Sequence, residues 1–193
     1  MNTRIAATTA LTLTALLTLA GCASSGGGGM DNMPGMDSST SDQADVNNAD
    51  IMFTTMMIPH HEQAVEMSDM LLAKDGIAPD VIAIAEQIKA AQGPEIELME
   101  SWLDDWGTGM DGMGDMGDGM MSDTDMEALE GATGDDASRL FLRQMIEHHE
   151  GAIDMAQSEV DSGANPDVLA LAQQIIDTQT TEIATMKGIL EAM

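Results

Sequence analysis

The sequence predicts an all-α protein, a four-helix bundle built from two repeated helical hairpins. Three observations predict it. With no Tyr, two Phe and two Trp, the chain lacks the aromatic residues that sheets draw on. Its apolar residues recur at helical spacing and do not alternate. Two parts of the chain also repeat each other. "FTTMMIPHHEQAVEM" from Phe53 aligns with "FLRQMIEHHEGAIDM" from Phe141 at an offset of 88, and "APDVIAIAEQIKAAQGPEIELMESWL" aligns with "NPDVLALAQQIIDTQTTEIATMKGIL" at an offset of 87.

The first element is an export signal over residues 1–21. Arg4 supplies a short positive region, an apolar run extends from Ile5 to Leu19, and "LAGC" closes it with small residues before Cys22. Such a run, about 15 residues, is too short to favour a membrane span. The ending looks like a bacterial lipobox, which implies cleavage before Cys22 and acylation of its thiol and new amine. The mature chain would then hang from the outer face of the cell membrane or the periplasmic side of an envelope membrane. Losing Arg4 from the 6 basic residues leaves 5 against 34 acidic ones. Cys22 is the only cysteine, so no intrachain disulfide and no thiolate metal cluster can form.

Residues 22–49 form a Gly-, Ser- and Asp-rich tract with almost nothing to bury, read as a flexible tether. The bundle follows over residues 50–193: repeat 1 at 50–106, a Met-, Gly- and Asp-rich linker at 107–134, and repeat 2 at 135–193. Asp50, and Asp135 or Asp136, are expected to cap the first helix of each repeat; Pro79 and Pro166 suit the opening of the second. Val81, Ile84, Ala85 and Ile88 begin one apolar stripe, and Val168, Leu171, Ala172 and Ile175 begin its copy. Pro59 should kink the first helix of repeat 1 alone, because Glu147 holds the matching place. One hairpin cannot cover its own stripe, whereas two packed together share a core.

A formal net charge of -28 repels phosphate backbones and gathers cations, so nucleic acid is not an expected partner. The four histidines form two adjacent pairs, His60–His61 and His148–His149. At about 100° per residue from Met57, His60 falls near -60°, His61 near +40°, Ala64 near -20° and Met67 near -80°, all on one side of a helix. Met145, His148, His149, Ala152 and Met155 repeat the arrangement. On the second helices Gln92, Glu95 and Met99 share a face, as do Gln179, Glu182 and Met186. Methionine at helical spacing is usually core filler, but a bundle core has no use for two adjacent imidazoles. Metal binding is therefore the preferred reading of the pairs.

Ligand softness selects the metal. Thioether sulfur favours Cu(I) or Ag(I), while imidazole accepts Cu(I), Cu(II) and Zn(II). Thioethers also bind without releasing a proton. The tracts outside the helices add sulfur: "MDNMPGM" carries Met30, Met33 and Met36, and "MDGMGDMGDGMM" carries Met110, Met113, Met116, Met120 and Met121. The low-complexity sequence around them offers no core to fill, and an exposed methionine is an oxidation liability. These methionines are read as soft-metal ligands.

The paired motifs Phe-x-x-x-Met-Ile-x-His-His-x-x-Ala-[Val/Ile]-x-Met and Ala-x-x-Ile-x-x-x-Gln-x-x-Glu-Ile-x-x-Met resemble domain-of-unknown-function family 305 over both repeats, leaving the Met-rich tracts uncovered. The resemblance implies a ferritin-like four-helix bundle and, as in some members, an exported copper-binding protein. It implicates Met57, His60, His61, Met67 and Met99, with Met145, His148, His149, Met155 and Met186. Pro59 matches the family pattern and Glu147 departs from it, which implies two sites of unequal affinity.

Two other classes fit the residues less well. A ferritin-like di-iron or metal-oxidising enzyme needs Glu-x-x-His on two helices, yet Met57 stands three before His60, and Glu147 stands three before Glu150. An acidic, cation-dependent interaction module would rest on Asp111, Asp115 and Asp118, whose spacing is not that of an EF-hand loop. The sequence thus points to a non-enzymatic, lipid-anchored copper binder, with silver as the alternative ion, that sequesters or relays metal for tolerance or homeostasis. Relay would require a copper-accepting partner protein; a homodimer is an open arrangement.

Overall fold

The computed structural model describes residues 46–108 and 119–193. The export signal, Cys22, Met30, Met33, Met36, Met110, Met113 and Met116 lie outside them. The described chain is all-α, with five helices and, among the described residues, no strand.

Helix α1 spans Asn48–Leu72. Its cap is Asn47, not Asp50. The Asn47 side chain accepts the amides of Ala49 at 2.7 Å and Asp50 at 3.1 Å, while Asp50 accepts the Asn47 amide at 2.6 Å, closing a capping box. Pro59 and Pro94 both lie inside continuous helices. Helix α2, Pro79–Trp106, opens with proline in its first turn and stops at left-handed Gly107, φ 67°. Helix α4, Gly134–Ser162, follows Thr133, with Asp135 and Asp136 in its first turn and no side-chain cap; their charges oppose the positive end of the helix dipole instead. Helix α5, Pro166–Ala192, is capped by Asn165 through the amides of Asp167 and Val168.

The linker is not structureless at its far end. Helix α3, Asp123–Gly131, forms behind a Ser122–Asp125 capping box and lies across α1 and α4. Gln63 of α1 pairs its amide with the Met121 backbone, donating to the carbonyl at 2.9 Å and accepting the N–H at 2.7 Å. Gln144 of α4 donates to the Asp125 carbonyl at 2.8 Å. Gly119, φ 90°, lets this segment approach α4: a Cβ there would lie 2.7 Å from the Gly151 Cα. Met121 is consequently 5% exposed, packed in a core cluster with Leu129. The expectation that no core awaits the linker methionines fails for this residue, because the sequence around it docks a helix.

α1 packs on α2 and α4 on α5, and the hairpins meet mainly along α1 and α4. The interior has two apolar ends. One gathers Met67 and Leu71 of α1, Val81 and Ile88 of α2, Phe141 and Met145 of α4, and Met186 of α5. The other gathers Phe53 and Met57, Met99 and Leu103, Ala152, and Val168 and Ile175. The repeat offset maps Phe141 to Phe53, Met145 to Met57, Val81 to Val168 and Met186 to Met99, so exchanging the repeats exchanges the ends. Among the described residues no helix is long and apolar enough to cross a membrane.

Candidate metal centre

Between the two apolar ends lies a buried polar layer containing all four histidines, Gln92, Glu95, Gln179 and Glu182. Helical spacing puts both histidines of each pair on the inward side, and hairpin pairing brings the second helices' polar residues to the same depth. His60 and His148 meet across the α1–α4 contact, ring centroids 3.7 Å apart and planes inclined at 41°. His61 and His149 turn to their own hairpins. Nε2 of His61 lies 2.8 Å from Oε2 of Glu95, and Nε2 of His149 lies 2.7 Å from Oε2 of Glu182. A carboxylate only accepts, so each Nε2 carries the proton.

The second oxygen of each glutamate is held by the other repeat. Gln174 of α5 donates to Oε1 of Glu95 at 3.1 Å, and Gln87 of α2 donates to Oε1 of Glu182 at 3.0 Å. Glutamines 87 and 174 stand at the repeat offset, which is the signal that would have found them. They escaped the sequence analysis because neither lies on the Gln92–Glu95–Met99 face or its copy.

This layer has unmet hydrogen-bonding capacity. Nδ1 of His61 and Nδ1 of His149 are buried with no hydrogen-bond partner among the described residues, as are both polar side-chain atoms of Gln92 and Oε1 of Gln179. Orphaned buried polar atoms are costly. A histidine that donates one ring N–H to a carboxylate and leaves the other nitrogen bare is oriented as metal-ligating histidines are. Burial pushes His148 well below the ordinary histidine range, and the neighbouring histidines push it further. Its ring is therefore neutral and able to donate a lone pair. Among the described residues no three His, Cys, Asp or Glu side chains are grouped to hold an ion by themselves. A centre here has to combine imidazole with thioether sulfur or amide oxygen.

The helical methionines lie on either side of the layer. Met67, Met145 and Met186 belong to one apolar end, all fully buried. Met57 and Met99 belong to the other, with half-buried Met155 packed against it. Each trio draws on both repeats. Met120, at the edge of the described linker, is half-buried.

A second buried cluster was not anticipated. Asp50 on α1 reaches the α4–α5 turn, where its Oδ1 accepts the amides of Ala164 at 3.1 Å and Asn165 at 2.9 Å. Burial would raise its pKa, but the amides of Asn47 and Asn165, a hydrogen bond with Glu159 and the Ala164 amide together hold it below the usual carboxylate value. Glu159, 1% exposed, is pushed up to about 7 by burial, then by its hydrogen bond to Asp50 and by the Asp50 charge. Glu159 thus keeps its proton to a higher pH beside the ionised Asp50. Ser138 and Leu71 hold the equivalent places in the other half, and Ser138 accepts the Ala78 amide at 3.4 Å where Asp50 accepts that of Asn165.

Residues 50–190, covering both hairpins and α3, match the family model described as Domain of unknown function (DUF305). The chain belongs to the DUF305 family. Among solved structures, a DUF305 fragment from Deinococcus radiodurans is 32% identical, with a TM-score of 0.71 over 77% of this chain and 99% of that one. A DUF305 protein from Streptomyces coelicolor, assigned as secreted, is 31% identical, with a TM-score of 0.71 over 75% and 91%. CopM in its Cu(I)-bound form is 31% identical, with a TM-score of 0.65 over 74% and 96%; CopM has also been solved with Cu(II), with silver and as the apo form. No curated protein matches the chain. The family match spans the histidine layer and both methionine trios, so the all-α expectation and the resemblance read from the repeated motifs are both met.

Proposed function

We propose that this DUF305 protein is an exported, lipid-anchored copper-binding protein that takes up Cu(I) or Cu(II), and silver as an alternative, and sequesters or relays the ion for copper tolerance. The observation that carries the reading is the buried histidine layer, in which His61 and His149 are each braced by a glutamate through Nε2 and present an unpartnered Nδ1. The metal forms solved for CopM support copper and silver as the ions. The lipobox at Cys22 supports the anchor.

In this reading His60, His61, His148 and His149 supply nitrogen, and the flanking Met57, Met99, Met145, Met186, Met67 and Met155 supply sulfur. Neutral imidazole and thioether together accept both oxidation states of copper, whereas sulfur alone suits Cu(I). Met30, Met33, Met36, Met110, Met113, Met116 and Met120 add weaker Cu(I) capacity, because ordering a linker costs roughly 1–2 kcal/mol per fixed residue. Met121 belongs to this group by sequence, and its packing beside Leu129 supports a structural role as well.

The test is a pair of competition titrations, one per oxidation state. Replacing His60, His61, His148 and His149 with Ala should abolish Cu(II) binding and leave part of the Cu(I) binding. Replacing Met110, Met113 and Met116 should lower Cu(I) capacity and leave Cu(II) affinity unchanged. Full Cu(II) affinity in the histidine variant would remove the histidines from the ligand set.

A further inference from the structure

Away from the histidine layer, one pocket brings sulfur to the surface. It has a volume of about 210 Å³ and is lined chiefly by Met52, Phe53 and Met56 of α1 and Met155 and Glu159 of α4. Met52 is 50% exposed, and Met56 and Met155 are half-buried. Met52 and Met56 are four residues apart, one above the other on the helix, and Met155 faces them from the neighbouring helix.

The other half of the molecule shows what this place looks like without that chemistry. The equivalent residues are Leu140, Gln144 and Met67, one thioether in place of three. That side is also covered, since Gln144 holds α3 down through the Asp125 carbonyl. On the open side no described segment occupies the pocket, and three oxidation-prone side chains line it where Leu would fill the same volume. A surface carrying a strong negative charge draws cations towards this opening.

The geometry points to a surface site for a soft monovalent cation, Cu(I) or Ag(I), formed by the sulfurs of Met52, Met56 and Met155 and needing none of the four histidines. Three thioethers meet the preference of such ions for soft, uncharged donors, and they bind without releasing a proton. Met155 also packs against the apolar end that holds Met57 and Met99. An ion bound in the pocket therefore lies one side chain from the sulfurs next to the histidines. The site rests on the reading of this chain as a copper and silver binder.

Ag(I) is the probe, and methionine oxidation by dilute hydrogen peroxide, read peptide by peptide on the full chain, is the measurement. Ligation occupies the lone pair the oxidant attacks, so Ag(I) should slow oxidation of Met52, Met56 and Met155 by about tenfold or more, while half-buried Met126 is unchanged. Protection should persist when all four histidines are replaced with Ala. Met52→Leu/Met56→Leu/Met155→Leu, a volume-conserving change, should lose one Ag(I) equivalent. If the chain binds Ag(I) but these three methionines oxidise at the metal-free rate, the site is overturned and the copper-binding reading stands. If no Ag(I) binds anywhere, both fail. Should the triple variant not fold, protection in the unaltered chain decides.

Discussion

His60 and His148, the first histidines of their repeats, sit ring to ring at 3.7 Å between α1 and α4. Two protonated imidazoles would repel at that distance inside a bundle. With His148 held neutral by its burial, the contact avoids that repulsion, and it puts nitrogen from both hairpins in a single place.

The glutamates behind the second histidines should matter to metal affinity and little to folding. Glu95→Gln or Glu182→Gln removes the charge that orients His61 or His149, and loss of such support typically costs about 10- to 100-fold in metal affinity. Cu(II) competition titrations read the affinity, and circular dichroism should show unchanged helix content. An unaltered affinity in both variants would mean the carboxylates brace the fold alone.

Docking of α3 should contribute to stability without touching the metal. Met121→Ala should cost about 2–5 kcal/mol, the range for truncating a buried methionine. Gln63→Ala should cost about 1–3 kcal/mol by stranding the Met121 backbone groups. Urea denaturation measures both, and Cu(II) affinity should stay at the wild-type value. A Met121→Ala variant with wild-type stability but reduced Cu(I) capacity would return this residue to the ligands.

The Asp50–Glu159 pair predicts a pH dependence in the metal-free chain. Glu159 is pushed up to about 7 in the folded state, above the ordinary glutamate value, so the folded state holds a proton the unfolded chain releases. Its stabilisation is complete below the unfolded value and is lost as pH rises through about 7. Asp50 works oppositely: its lowered value gives stability present above its unfolded pKa and lost as pH falls through the folded one. Asp50 supplies the charge acting on Glu159, and the α4–α5 turn supplies backbone amides to Asp50. Melting temperature should therefore fall between about pH 5 and pH 8 by linkage, and less so in Glu159→Gln. Parallel slopes in the two proteins would dismiss the raised Glu159 pKa.

For the anchor, the expected result is that the acylated chain sediments with membranes and that Cys22→Ala releases it. Lipid-free wild-type protein in the soluble fraction would rule the lipobox out.

Much of this was legible in the chain because it follows from periodicity and repetition. The 3.6-residue spacing placed both histidine pairs and Met57, Met99, Met145 and Met186 inside, and the duplicated motif gave the hairpins. What escaped had no periodic signature. Asp50 and Glu159 meet from distant parts of the chain through a turn, and the capping role expected of Asp50 belongs to Asn47. Helix α3 is short and polar on most of its surface, and only its docking through Gln63 and Gln144 distinguishes Met121 from the sulfur-rich tract before it. Met52 and Met56 lie on the outer edge of the α1 stripe, where sequence alone cannot separate core from pocket.

Each repeat's glutamate is steadied by the other repeat's glutamine. Neither hairpin completes its own histidine support, yet two identical copies related by a two-fold axis would satisfy every one of these contacts. One hairpin paired with its own copy would present the same cross-bracing, and carrying both copies on one polypeptide holds them together. That linkage also lifts the demand that the copies stay alike. Ser138 and Leu71 on one side against Asp50 and Glu159 on the other, and a covered groove against an open one, are the divergence that this freedom permits.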